Sequence, residues 1–250
     1  MLDLQVHAGV AWITLKRPQV LNAINREMAN LFLQALEELE KRADVRVVIT
    51  RGEGKAFCSG SDLRELAPLS PIDATRYELE FAKIFSTLDR LPQPTIAMLQ
   101  GHALGGGLGL ALYHDFRIAA STASLGMPEV ELGWAPPWAI GRLAEIVGFA
   151  KARWILMTCN TMTGAEAAEI GLVNEGVPED QLHSRTEQLA KRLAAMPPEG
   201  LNQTKIMLHR MSTLRRFDWD ADASEAFRVC YEKPEAQKRI SDFVARKKKP

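Results

Sequence analysis

Three short apolar runs, separated by segments long enough to form a helix, most limit what this chain can fold into. The runs are VRVVIT, TIAMLQ and FRIAAS, which begin at residues 45, 95 and 116. Continuous apolar runs of this length are typical of strands that are buried on both faces in a parallel sheet. The helical patterns between them predict right-handed strand–helix–strand crossovers. The middle of the chain therefore indicates an α/β fold with a mostly parallel sheet.

The segments around these runs predict further elements. Alternating apolar and polar residues predict a hairpin over residues 4–15. Asn22 or Asn25 can cap a helix that continues to about Arg42. The segment RGEGKAFCSGSD, residues 51–62, reads as a loop that leads into a short helix, DLREL.

The later part of the chain is almost wholly helical in pattern. Two neighbouring helices are predicted over Ile140–Val147 and Lys151–Thr158, and a short strand, LVNEGV, follows further on. We therefore divide the chain into a core of residues 1–195 and a C-terminal helical region of residues 196–250. Two of the predicted helices of that region lie at Asp218–Tyr231 and Pro234–Ala245.

The composition excludes several classes of protein. Lysine and arginine number 31, and so do aspartate and glutamate, so no overall charge favours nucleic acid or an anionic membrane. The three cysteines are widely spaced, which predicts neither a metal site nor a disulfide framework. The N-terminus does not resemble a signal peptide, and no apolar stretch approaches 18 residues. These features predict a cytoplasmic protein.

The stretch HALGGGLGLALYHD places three glycines where a helix should begin, at Gly105, Gly106 and Gly107. Each glycine inside a helix costs about 0.8–1 kcal/mol relative to alanine. The free N–H groups and the dipole of a helix N-terminus favour an anion, and bare backbone lets it approach closely. The spacing fits neither GxGxxG nor the P-loop, which leaves an oxyanion site or simple close helix packing.

A second glycine turn follows the preceding strand, in GKAFCSGSDLREL, with Gly60 before the helix that Asp62 can cap. Backbone N–H groups from two adjacent strand–helix turns could converge on one carbonyl oxygen. That arrangement is the geometry of an oxyanion hole.

At these residues the chain resembles the crotonase superfamily, also called the enoyl-CoA hydratase/isomerase family. The resemblance covers nearly the whole chain and rests on several motifs taken together. They are RPQVLNAINREM, GKAFCSGSDLREL, PTIAMLQGHALGGGLGLALYHDFRIAA, LGMPEVELGWAPPWAIGRL, TGAEAAEIGLVNEGV and ISDFVARKKK. It implies a ClpP-like ββα spiral with a C-terminal helical extension, assembled as a homotrimer or homohexamer. It also implies acyl-CoA thioester substrates, no separate cofactor and no metal.

By this resemblance, the N–H groups of Ser61 and Gly106 form the oxyanion hole, and the carbonyl of Ser59 meets the adenine of coenzyme A. Gly60, Asp62 and Gly105 belong to the same substrate-binding turns. Among the C-terminal lysines, Lys247 or Lys248 would approach the phosphates of coenzyme A.

Hydratases of the family use two glutamates, and here the first of those positions is Gly109. The second is Glu129, which leaves one carboxylate as the sole proton shuttle. A single carboxylate can move a double bond from the 3 to the 2 position, as the isomerase branch does. Trp134 and Trp138 could wall a dry apolar pocket that raises the pKa of Glu129, or they could belong to the ordinary core.

The sequence leaves several alternatives open. The same fold could support a hydratase, lyase or hydrolase, and a protein of another class could bind coenzyme A or RNA without catalysis. Glu131 would share a face with Glu129 in an extended segment, although the resemblance favours Glu129. Asp115, His102 and His114 are expected to have structural roles, and Cys58 is expected to pack in the core.

Overall fold

The larger of two sheets forms the centre of the molecule. The computed structural model describes residues 1–133 and 135–213, and within them this sheet has six strands. In spatial order, with numbers in chain order, they are β1 (Leu2–His7), β2 (Val10–Leu15), β3 (Val47–Gly52), β5 (Thr95–Leu99), β7 (Phe116–Ala120) and β10 (Glu175–Val177). β1 and β2 form the predicted antiparallel hairpin, and the other neighbours are parallel. The three apolar runs thus form adjacent parallel strands, as predicted.

A smaller sheet lies at the ends of these strands and was missed by sequence reasoning. Its strands, in spatial order, are β4 (Ala56–Cys58), β6 (His102–Leu104), β8 (Ser124–Gly126) and β9 (Met162–Thr163). Assigning the whole of residues 51–62 to a loop was therefore wrong, because β4 lies within them. Strands of two or three residues are too short to show a period of two in the sequence.

Eight α-helices follow or separate the strands in the described residues. They are α1 (Arg26–Glu40), α2 (Leu63–Leu66), α3 (Pro71–Arg90), α4 (Gly106–Leu112), α5 (Ile140–Thr158), α6 (Gly164–Glu169), α7 (Leu182–Ala194) and α8 (Pro198–Thr213). The chain passes from β3 to β4, from β5 to β6 and from β7 to β8, and helices follow each pair. This repeat is the expected ββα spiral.

Local residue chemistry explains where α1 begins and where the helical geometry of α5 is interrupted. The side chain of Asn25 accepts a hydrogen bond from the N–H of Met28 and caps α1, whereas Asn22 donates to the carbonyls of Glu53 and Ala56. The two helices predicted at α5 are joined through Gly148, whose φ of 78° and ψ of 155° interrupt the helical geometry.

Two apolar cores pack against the sheets. The larger joins both sheets to α1, α3 and α4, with Phe32, Phe81 and Leu110 among its buried side chains. The smaller lies on the opposite face of the larger sheet under α7, where Ile49 and Ile96 contribute. No helix in residues 1–133 and 135–213 combines the length and apolar character that a membrane crossing requires. The helices predicted at Asp218–Tyr231 and Pro234–Ala245 lie outside the described residues.

Candidate functional site

The two glycine turns meet face to face. Gly60 follows β4 and has a φ of 100°, a backbone region that L side chains rarely adopt. A Cβ atom placed on Gly60 would lie 3.0 Å from the backbone nitrogen of Gly106, the first residue of α4. Glycine at residue 60 therefore permits a contact between the turns that a side chain would prevent.

Each turn presents one free backbone donor to a shared cavity. In the part of the chain that the structure describes, neither the N–H of Ser61 nor that of Gly106 donates a hydrogen bond. Both residues line a cavity of about 70 Å³ at the N-terminus of α4. Unpartnered donors in a confined site are suited to an oxygen atom that gains negative charge.

Most of the site residues predicted from the sequence line this cavity, which is called the catalytic cavity after the roles predicted for them. They are Ser59, Gly60, Ser61, Gly105, Gly106, Glu129 and Trp138. Asp62 lies behind it, since its side chain caps α2 and pairs with Arg17 at 2.8 Å, and this pair is almost wholly buried. Trp134, Lys247 and Lys248 lie outside the described residues.

Glu129 is the buried carboxylate of the catalytic cavity. Glu129 is only 7% exposed, and no described residue donates a hydrogen bond to its Oε2 atom. The other oxygen faces the glycine turn, since a Cβ on Gly105 would lie 3.0 Å from Oε1. Burial raises the pKa of Glu129, and the charge of Glu78 raises it further. Such a carboxylate has the basicity and the free lone pairs that proton transfer needs.

Glu131 does not share this environment. The segment is not extended, because Glu129–Leu132 forms a 3₁₀ turn. With about three residues per turn, side chains two residues apart point in different directions. Glu131 is accordingly exposed while Glu129 is buried.

Trp138 occupies the space above the start of α4. A Cβ on Gly109 would lie 2.7 Å from Cζ3 of Trp138, and one on Gly106 would overlap the Cη2 atom of the same ring. A glutamate at residue 109 would thus collide with the indole. Trp138 directs its Nε1–H away from these glycines to Oε2 of Glu78, at 3.0 Å.

Glu78, on α3, is a site residue that sequence reasoning missed. It lines the catalytic cavity and also a larger cavity of about 750 Å³ beside it. The larger one, here called the apolar cavity, is lined by Leu63, Leu66, Ala67, Ala74, Glu78, Leu79, Ala82, Ala135, Pro137 and Trp138. A cavity of this size and chemistry is suited to an apolar chain.

The neighbouring polar residues have the structural roles expected of them. Asp115 accepts hydrogen bonds from the Thr95 N–H at 2.7 Å and from Lys205 Nζ at 2.8 Å. His114 bonds through both ring nitrogens to described residues, and burial lowers its pKa to about 4. Cys58 is buried, and its burial raises the pKa of the thiol to about 12. His102, in contrast, is exposed.

Comparison with known proteins decides the family. The family model described as enoyl-CoA hydratase/isomerase matches residues 5–250. The chain belongs to the enoyl-CoA hydratase/isomerase family. It is 31% identical to the short-chain-enoyl-CoA hydratase of Clostridium acetobutylicum, over 98% of this chain and 95% of that protein. It is 38% identical to the probable enoyl-CoA hydratase echA8 of Mycobacterium bovis, over 80% of this chain and 78% of the relative.

Solved structures of the enoyl-CoA hydratase/isomerase family agree with the fold. The crystal structure of enoyl-CoA hydratase from Bacillus anthracis superposes with a TM-score of 0.94 at 28% identity, covering 98% of this chain and 96% of that one. The resemblance to the crotonase superfamily is therefore confirmed. As a member of the enoyl-CoA hydratase/isomerase family, the protein is an enzyme that acts on acyl-CoA thioesters.

Proposed function

We propose that the protein isomerises 3-enoyl-CoA to 2-enoyl-CoA, with Glu129 as the base that removes the C2 proton. The observation that carries this proposal is the position of Glu129, which lines the same small cavity as Ser61 and Gly106 and whose Oε2 atom accepts no hydrogen bond from any described residue. A base beside an oxyanion site is the combination that enolate formation requires.

Each residue has a definite part in the proposed reaction. The N–H groups of Ser61 and Gly106 hold the thioester oxygen while it gains charge, and each such donor is typically worth about 2.7–4 kcal/mol. The acyl chain extends into the apolar cavity, and coenzyme A enters as part of the substrate, so no separate cofactor takes part. The carbonyl of Ser59 contacts the adenine. Residue 109 on α4 is glycine, and Trp138 fills the space beside it. Because α4 therefore brings no second carboxylate to the site, this arrangement supports isomerisation.

Hydration of 2-enoyl-CoA is a second candidate, which one specific observation favours. Glu78 brings another carboxylate to the catalytic cavity, and two carboxylates could activate a water and protonate C2. The relatives compared above carry the name hydratase, which also supports this candidate.

Product analysis separates the two candidates. The purified protein is incubated with matched 3-enoyl-CoA and 2-enoyl-CoA esters of several chain lengths, and the products are identified by mass spectrometry and chromatography. Isomerisation gives 2-enoyl-CoA from 3-enoyl-CoA with no change of mass. Gain of one water by 2-enoyl-CoA, with 3-enoyl-CoA left unchanged, would reject the isomerase in favour of the hydratase.

We also propose that copies of this chain assemble as a homotrimer or homohexamer. The outer face of α5 supports this, since Phe149, Trp154 and Met157 are 71%, 62% and 74% exposed in one copy. A group of large apolar side chains on one helix is typical of a contact between proteins. We expect light scattering after size exclusion to give the mass of three or six chains.

Trp154→Glu should weaken that assembly, whereas Ala43→Glu adds the same charge at an exposed position between α1 and β3 and should leave it intact. A wild-type protein that remains monomeric at micromolar concentration would contradict the assembly. A Trp154→Glu variant with the same mass as the wild type would remove α5 from the interface.

A further inference from the structure

Glu78 places a carboxylate where the catalytic cavity meets the apolar cavity. It is the one charged side chain among the described residues that line the apolar cavity, whose other walls are alanines, leucines, a proline and Trp138. A carboxylate in such surroundings is costly to desolvate, and burial raises the pKa of Glu78. Its position is therefore unfavourable for the fold alone, and a functional role has to be considered.

Two hydrogen bonds hold the Glu78 carboxyl group in a fixed orientation. Its Oε2 atom accepts from the hydroxyl of Ser61 at 3.2 Å and from the indole N–H of Trp138 at 3.0 Å. No described residue donates to Oε1. One oxygen is thus anchored by neighbours of the oxyanion site, while the other remains available to a bound acyl group.

Glu78 and Glu129 lie close enough to affect each other. Both line the catalytic cavity, and the charge of Glu78 contributes to the raised pKa of Glu129. Two nearby carboxyl groups disfavour double ionisation and tend to share a proton, so one can accept a proton while the other donates. Trp138 contacts both regions of the site. Its ring fills the space over Gly109 on α4, the position at which the chain departs from the hydratase pattern, and its N–H donates to the carboxyl group of Glu78 on α3.

We propose that Glu78 is the second proton-transfer residue of this site and protonates C4 of the acyl chain after Glu129 has removed the C2 proton. This proposal rests on the proposed isomerisation. The C2–H bond breaks, and its electron pair enters a dienolate that the oxyanion site holds. The former C3=C4 electrons then take the proton of Glu78 to form the new C4–H bond, as the C2=C3 bond forms. Afterwards Glu129 returns its proton to solvent and Glu78 regains one, so no net proton is consumed.

The test follows two reactions of one substrate, a 3-enoyl-CoA in D₂O. Deuterium entering C2 of the recovered substrate reports proton removal by Glu129, and formation of 2-enoyl-CoA reports the complete reaction. Glu78→Gln keeps an amide oxygen that can accept from Ser61 and Trp138 but has no acidic proton. We expect it to retain C2 exchange within about tenfold and to lose isomerisation by about 10²–10⁴-fold, the usual contribution of general acid–base catalysis.

Glu80→Gln is the matched control, because Glu80 lies on the same helix and its half-exposed carboxylate pairs with Arg26 outside both cavities. It should match the wild type in both reactions, and thermal unfolding verifies that both variants are folded. Wild-type isomerisation by Glu78→Gln would overturn the proposal and leave Glu129 as the sole shuttle. Parallel loss of exchange and isomerisation would also overturn it, because Glu78 would then act only through Glu129 or the fold. A wild-type protein that leaves 3-enoyl-CoA unchanged would reject the isomerase itself.

Discussion

Replacing Glu129 with glutamine should lower the single-turnover rate of 3-enoyl-CoA isomerisation by about 10²–10⁴-fold or more, because the amide cannot accept the C2 proton. Exchange of the C2 proton with solvent should fall in parallel. Binding of acyl-CoA should change little, since the N–H groups of Ser61 and Gly106 remain in place. Stopped-flow or quench-flow measurement with enzyme in excess gives the rate, and a titration gives the Kd.

Glu131→Gln provides the control for this substitution. It makes the same chemical change two residues away, on the same 3₁₀ turn, but at an exposed side chain. Its turnover should equal that of the wild type. If Glu129→Gln and the wild type isomerised at equal rates, Glu129 would have no part in the reaction and the proposed mechanism would lose its base.

The burial of Glu129 also has a consequence for stability. Its pKa is raised in the folded protein, so the folded state holds the proton more tightly than the unfolded chain does. Stability is therefore lost as the pH rises from the unfolded pKa, about 4.3, through the higher folded pKa. Glu129→Gln removes that loss, and its Tm should exceed that of the wild type at pH 7–8.

The difference in Tm should shrink as the pH is lowered towards 4, where the wild-type carboxyl is increasingly protonated. Thermal unfolding of wild type, Glu129→Gln and Glu131→Gln over this pH range measures it. A difference that stays constant with pH would show that the ionisation of Glu129 is not its cause.

The middle of the larger sheet could be predicted from the sequence because β3, β5 and β7 are buried on both faces. VRVVIT, TIAMLQ and FRIAAS each contribute a parallel strand. Their apolar composition suits strands that are covered on both faces, which is the environment they have in the sheet. The smaller sheet could not be predicted in this way. β4 and β6 have three residues each, and they pair because the longer strands before them deliver them side by side.

The same difference applies to the site: some of its residues can be recognised from the local sequence, and others only from the packing of the folded chain. The glycine turns are visible in the sequence, because three consecutive glycines stand where a helix begins, and the family resemblance then points to Ser61 and Gly106 within them. Glu78 carries no such mark, because α3 also has other acidic residues, such as Asp73 and Glu80, and only packing decides which one faces inward.

A weak signal for Glu78 is nevertheless present in the sequence. Ala74, Glu78 and Ala82 are spaced by four residues, so they share one face of α3. Alanines one turn before and after a glutamate leave space beside it, and in the structure all three residues line the apolar cavity. A carboxylate between small residues on one helix face can therefore indicate a side chain that lines a cavity.

Gly106→Val should reduce kcat/KM by about 10²-fold or more, comparable to the loss of one oxyanion donor worth about 2.7–4 kcal/mol. The new Cβ would overlap Cη2 of Trp138 and lie 3.3 Å from Cα of Gly60, so the ring must move and the two turns must separate. Gly141→Val is the control, because it adds the same side chain near the start of α5, where nothing lies within 4 Å of the Cβ. Kinetics with one acyl-CoA substrate and thermal unfolding together separate loss of activity from loss of fold. Normal turnover by a folded Gly106→Val protein would show that the Gly106 N–H does not hold the thioester oxygen.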